Sequence, residues 1–333
     1  MATRDSVPAS DSVPTSSTAS IGGALPLGGA IPTGKRVALA LGSGGARGYA
    51  HIGVIAELRE RGYEITGVAG SSMGALVGGL YAAGKLDEFT SWATTLGQFE
   101  VARLLDPAFS EPGVIRAGKI LDRIREMLGE LCIEQLPIPY IAVATDITTG
   151  RSTWFRHGEL DAAIRASIAI PGFITPVLRD GHVLVDGGVL DPLPVVATMA
   201  LGQADLLIGV DLSGPPDPAY DRAQPRTNWF TQWWRASAQR LGRTPEAPVE
   251  EQPPALSSVR ATDVAQRAID LMLASITRQH LAAHPPDLVI SVPQNICGTM
   301  DFHRAAPIIE QGRALAVAAL DALADAGAAA LPD

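Results

Sequence analysis

Two short apolar runs, each cut off by a glycine-rich turn that leads into a helical pattern, constrain this chain more than any other feature. Val37-Ala-Leu-Ala-Leu41 holds no polar residue and stops at Gly42, the pattern of a strand buried on both faces. Tyr49 to Arg61 follows with Ile52, Ile55, Ala56 and Leu58 at helical spacing, and Gly62 closes it. The unit then repeats, with Ile65–Ala69 as strand, Ser71–Ser72–Met73–Gly74 as tight turn, Ala75–Ala83 as helix and Gly84 as stop. Strand, turn and helix twice in succession imply an α/β chain whose strands lie parallel, joined by right-handed crossovers. Further strands are predicted at Tyr140–Thr145, His182–Val185, Leu206–Asp211 and Leu288–Val292. Further helices are predicted near Lys119–Leu128, Leu160–Ser167, Pro192–Ala200, Thr262–Ala283 and Ala306–Ala324.

A fold of this kind needs a large core, and the chain can build one. Of 333 residues 47% are hydrophobic, yet only 5% are aromatic, so Ala, Val, Leu and Ile must do most of the packing. Residues 1–34 are rich in Ser, Thr, Pro and Gly and read as a disordered leader, with too little to bury. Residues 35–330 read as a single domain. A Pro/Trp-rich stretch at about 215–255 interrupts it and reads as a surface insertion, because a strand and two helices follow. Met1 to Ser20 lacks the positive start and apolar run of a signal peptide, and no apolar run reaches the ~18 residues of a spanning helix. Two cysteines, Cys132 and Cys297, make no disulfide framework or metal cluster, so a reduced cytoplasmic setting is expected. The net charge of −9 argues against a nucleic-acid partner.

Three segments carry candidate chemistry. In Gly70-Ser71-Ser72-Met73-Gly74 a strand-to-helix elbow exposes Ser72, and the two glycines allow the sharp turn. A serine hydroxyl so presented becomes a nucleophile when a base accompanies it, although an ordinary glycine-rich turn has the same letters. The run Gly42-Ser43-Gly44-Gly45-Ala46-Arg47-Gly48 sits between the first strand and helix. It fails the dinucleotide spacing, since the third glycine would have to fall at Arg47 and the second strand ends in Ala69-Gly70, not an acid. Gly44 and Gly45 can instead offer main-chain N–H groups to a developing oxyanion, with Arg47 holding the loop or a phosphate-bearing substrate; a purely structural loop is the alternative. In Val183-Leu-Val-Asp186-Gly187-Gly188 a carboxylate ends an apolar strand, where desolvation would raise its pKa, and a simple Asp-Gly-Gly turn is again the alternative.

Taken in this order the three segments resemble the patatin-like phospholipases, most closely the bacterial soluble branch related to the catalytic domain of neuropathy target esterase. Ala144-Thr-Asp146 and Ala166-Ser-Ile-Ala-Ile-Pro171-Gly-Phe extend the likeness, which runs from Val37 through Asp211 and on toward the C-terminus. The resemblance implies a three-layer α/β/α fold around a central, mostly parallel sheet. It implies a Ser–Asp dyad in place of a triad, with Ser72 as nucleophile, Asp186 as base and Gly44, Gly45 and Arg47 in the oxyanion loop. Gly70, Gly74, Gly187 and Gly188 support these motifs. The expected substrates are phospholipids, lysophospholipids or other acyl esters, cleaved through an acyl-enzyme with no metal or cofactor. Two residues depart from the family's pattern: Ser43 replaces the first glycine of the loop, and Asp191 stands where Asn is common, adding charge near the dyad.

A Ser–Asp–His order leaves His284 or His303 as an alternative base. A silent acyl-lipid binder or regulatory protein on the same fold is the rival from another class. Trp229, Trp233 and Trp234, with Arg226, Arg235, Arg240 and Arg243 and no acid among them, suit peripheral membrane contact or a flap over the active-site mouth.

Overall fold

A computed structural model describes residues 34–104, 118–221 and 261–329; most of the leader and of the Pro/Trp-rich stretch, including Trp229, Trp233 and Trp234, lies outside the described residues. Among the described residues eight strands form one sheet: β1 (Arg36–Leu41), β2 (Glu64–Ser71), β3 (Tyr140–Asp146), β4 (Arg151–Phe155), β5 (Val177–Arg179), β6 (His182–Asp186), β7 (Leu206–Gly214) and β8 (Leu288–Pro293). Their order is β5-β6-β3-β2-β1-β7-β8, with β4 on β3. The run β3-β2-β1-β7-β8 is parallel, whereas β4 and β6 run antiparallel to β3, and β5 antiparallel to β6. The helices are α1 (Ala50–Glu60), α2 (Met73–Ala82), α3 (Leu86–Ala93), α4 (Gln98–Leu104), α5 (Gly118–Leu128), α6 (Leu160–Ser167), α7 (Val195–Thr198), α8 (Pro218–Asp221), α9 (Ala261–Ala283) and α10 (Ala305–Ala329).

Alternation along the strands sorts the core into two unequal layers. Leu39, Leu41, Val68, Ile208 and Val210 face the side covered by α1, α2, α6 and α10, which holds the larger cluster. The opposite face presents Ala40, Ala69, Ile141 and Val143, and is covered by α7, its flanking residues and Leu281 of α9. Three layers result, as the resemblance implied.

Both early units fall where the apolar runs predict. Helix α2 begins at Met73, directly after Ser72, two residues earlier than expected. The helix expected at Pro192–Ala200 shrinks to the four residues of α7, because Pro192 and Pro194 lack the N–H groups a longer helix would use. Strands β4 and β5 and helices α3 and α4 were not anticipated.

One detail of the sheet positions everything that follows. Strand β4 occupies one edge of β3 along its last five residues, Ala142 to Asp146. On the other edge β2 pairs as far as Val143, opposite Ser71, and β6 takes over at Ala144, opposite Asp186. Two antiparallel strands therefore end against each other on adjacent residues of β3.

Candidate active site

Ser72 occupies the elbow between β2 and α2 with φ 55° and ψ −123°, a conformation a non-glycine residue holds only under strain. The elbow closes tightly: a β-carbon on Gly74 would stand 2.1 Å from the Leu41 carbonyl oxygen. The Ser72 amide donates to Ser167 Oγ at 2.9 Å, and Ser167 Oγ donates to the Val143 carbonyl at 2.6 Å. This tie pins the strained peptide to α6 and β3 together. The positive end of α2 meets Ser72 at its N-cap.

Asp186 arrives from the other side. Its Oδ2 accepts from Ser72 Oγ at 2.5 Å, and its Oδ1 accepts from the Gly188 amide at 2.7 Å. Both residues are nearly closed to solvent, with 4% and 5% of their surfaces exposed. Burial pushes the carboxyl up to about 6, and the two hydrogen bonds oppose that rise without cancelling it. Gly187 passes so near β3 that a β-carbon would lie 2.1 Å from the Val143 carbonyl. Gly70 is as confined, against the Gly74 carbonyl. Hydroxyl and carboxylate meet because Gly70, Gly74 and Gly187 let the backbones converge.

No imidazole takes part in that pairing. Among the described residues the carboxylate's hydrogen-bond partners are Ser72 and Gly188. His303 lies 3.3 Å from Gln98, His182 bonds Asp146 at 2.8 Å, and neither His303 nor His284 reaches the dyad. Asp191 faces His280 of α9 at 3.3 Å.

The glycine loop runs alongside. Gly42 donates to the Val210 carbonyl at 3.0 Å, Ser43 to Pro192 at 2.8 Å, and Ala46 to Thr299 at 2.9 Å. Between these anchors, the amides of Gly44 and Gly45 have no acceptor among the described residues. Gly45 has φ 57° and faces the same cavity as Ser72. Arg47 braces the loop, donating to the Gly44 carbonyl at 3.1 Å and the Gln294 carbonyl at 3.3 Å, with Asp270 3.7 Å from its guanidinium. Of the two tasks foreseen for Arg47, its bonds account for loop support. His51, fully buried and pushed down to about 4, donates from Nε2 to the Gly42 carbonyl at 2.8 Å. Like Ser167, it was not foreseen. An isolated Ser or His at a helix position carries no signal of the backbone group it will meet.

Ser72 opens onto a cavity whose other walls are almost wholly apolar, among them Met73, Leu76, Phe89, Trp92 and Phe173. Rings of Trp92, Phe89, Tyr49 and Phe302 follow one another along it with centroids 5.8 to 6.4 Å apart. That lining suits a hydrocarbon group.

The family description Patatin-like phospholipase matches residues 39–199. An uncharacterized NTE family protein of Mycobacterium tuberculosis is 48% identical over 334 aligned residues, covering 86% of this chain and 92% of the relative. Lysophospholipase NTE1 of Mycosarcoma maydis is 37% identical over 207 residues, or 60% of this chain and 10% of that much longer protein. Patatin-like phospholipase domain-containing protein 6 of Mus musculus is 30% identical over 207 residues, covering 60% of this chain and 15% of that one.

Proposed function

This chain belongs to the patatin-like phospholipase family, and on that premise we propose that it hydrolyses lipid acyl esters through a Ser72–Asp186 dyad and an acyl-enzyme. The observation that carries the reading is the 2.5 Å hydrogen bond from Ser72 to a buried carboxylate, at the wall of an apolar cavity. A carboxylate with its pKa near 6 is ionised at neutral pH, yet basic enough to take a proton in the transition state. Asp186 accepts the Ser72 proton as Oγ attacks the ester carbonyl. The amides of Gly44 and Gly45, with the positive end of α2, support the developing oxyanion. The leaving alcohol takes the proton from Asp186, and water activated by the same carboxylate then releases the fatty acid. Neither step calls for a metal or cofactor.

The cavity favours a phospholipid, lysophospholipid or similar ester whose acyl chain lies along the aromatic rings. Among the described residues no helix is long and apolar enough to cross a membrane. Contact with a lipid surface through Trp229, Trp233 and Trp234 remains part of the proposal, tested by vesicle binding of a Trp233/Trp234 double Ala variant. The hydrolase reading is tested by fatty-acid release from lysophosphatidylcholine and p-nitrophenyl esters. The wild type should turn over both and Ser72→Ala neither; equal turnover by the two proteins would falsify the reading.

A further inference from the structure

The end of α6 and the turn that follows it serve the dyad and the apolar cavity together. Ser167 Oγ holds the Ser72 amide, and the Ala169 carbonyl accepts the Asp186 amide at 2.9 Å. The chain then closes a tight turn, in which Phe173 and Ile174 both donate to the Ile170 carbonyl, at 3.0 and 2.8 Å. Ile168, Ile170, Phe173 and Ile174 form one wall of the cavity, while Pro171 and Gly172 at the tip of the turn are exposed. Beyond it Thr175 leads into β5, a strand of three residues that pairs with β6.

Arg165 on α6 ties down this far side. Its Nη2 donates to both the carbonyl and Oγ1 of Thr175, each at 2.7 Å. The guanidinium is half-buried, and burial pushes its pKa down, with no carboxylate among the described residues opposing that shift. A cation drawn out of water without a counter-ion costs stability, which the two charge-assisted bonds to Thr175 offset.

We propose that Arg165 is a positioning residue that sets acyl-chain preference: by clamping Thr175 it holds the Ile170–Ile174 turn against the chain. The inference rests on the Ser72–Asp186 reading, with the acyl chain in the apolar cavity. Long acyl groups then gain contacts with Phe173 and Ile174 that an acetyl group is too short to make, and this remote binding energy favours their turnover. The bonds to Ser72 and Asp186 lie on the α6 side of the turn and the clamp on its far side. Releasing Thr175 therefore loosens the wall and leaves the dyad paired.

The experiment measures kcat and KM of wild type, Arg165→Met, Arg165→Lys and Thr175→Val on p-nitrophenyl acetate and dodecanoate, with the rate of fluorophosphonate labelling at Ser72. Arg165→Met should lose about tenfold in kcat/KM on the dodecanoate, chiefly through KM, and stay within about twofold of wild type on the acetate and in labelling. Arg165→Lys, which keeps a donor, should recover part of the loss. Thr175→Val removes only the Oγ1 bond; its loss on the dodecanoate should be about threefold, and should vanish in the Arg165→Met background. Where Arg165→Met does not fold, Thr175→Val alone decides. Equal losses on both esters, a fall in labelling that matches the fall in turnover, or no loss on the dodecanoate removes the role of Arg165 and leaves the dyad standing. A wild type that neither turns over an ester nor labels on Ser72 overturns both.

Discussion

Ser72 and Asp186 are separated by 114 positions in the chain and by 2.5 Å between their side-chain oxygens. They meet because β2 and β6 run toward each other along one edge of β3 and stop at neighbouring residues, Ser71 opposite Val143 and Asp186 opposite Ala144. Each functional side chain then lies at or just past a strand end, where the backbone turns away and leaves room.

Asp186→Asn tests what that burial costs. The folded-state pKa is raised from 3.8 to about 6, so the protonated form is the one the fold favours. Stability from this group is complete below the ordinary carboxylate value and is lost as pH rises through about 6. Asn removes the buried charge, so we expect the variant to be more stable than wild type at neutral pH, by up to about 3 kcal/mol, with the gain vanishing in acid. Its activity should fall by ~10³ or more. In the wild type kcat/KM should climb with pH through about 6 as the carboxylate ionises. Denaturant melts and pH–rate profiles of the two proteins check both statements.

Ser167→Ala removes the only acceptor of the Ser72 amide among the described residues and the hydroxyl bonded to Val143. A buried N–H is left without a partner, which we expect to cost about 1–3 kcal/mol of stability. The elbow also loses its brace, so acylation should slow even where the protein remains folded. Chemical denaturation paired with active-site titration separates the two effects.

The first half of this site was legible before the fold was known. Val37–Leu41 is apolar without interruption, Ile65–Ala69 is apolar but for Thr66 and Gly67, both run into glycines, and both became buried parallel strands whose carboxyl ends carry the glycine loop and Ser72. Asp186 was marked by its place after an apolar run, yet nothing local told that β6 is antiparallel, since a strand's pattern reads the same in either direction. Strand β5 is three residues long and β4 has mostly exposed side chains, so neither leaves a periodic trace. The cavity was invisible because α3, α4 and α5 each contribute only part of its wall, and its lining exists only when they converge. Ser167 and His51 owe their tasks to backbone groups that the fold brings to them.

Ile170→Trp probes the cavity from a half-buried wall position, where added bulk projects into existing space. We expect turnover of long-chain esters to drop while acetyl and butyryl esters keep near-normal rates, because the dyad is untouched. Competition between p-nitrophenyl esters of graded length reads the change directly. A uniform loss across all lengths would instead indicate that the ring disturbs the dyad.

The most direct measurement is covalent. A fluorophosphonate reacts with a serine only where a base activates it and donors support the resulting oxyanion analogue. Intact-mass and peptide analysis of the treated protein should show one adduct, on Ser72, missing from Ser72→Ala and strongly slowed in Asp186→Asn. An unmodified wild type, an adduct on another serine, or equal labelling of wild type and Asp186→Asn would contradict the dyad.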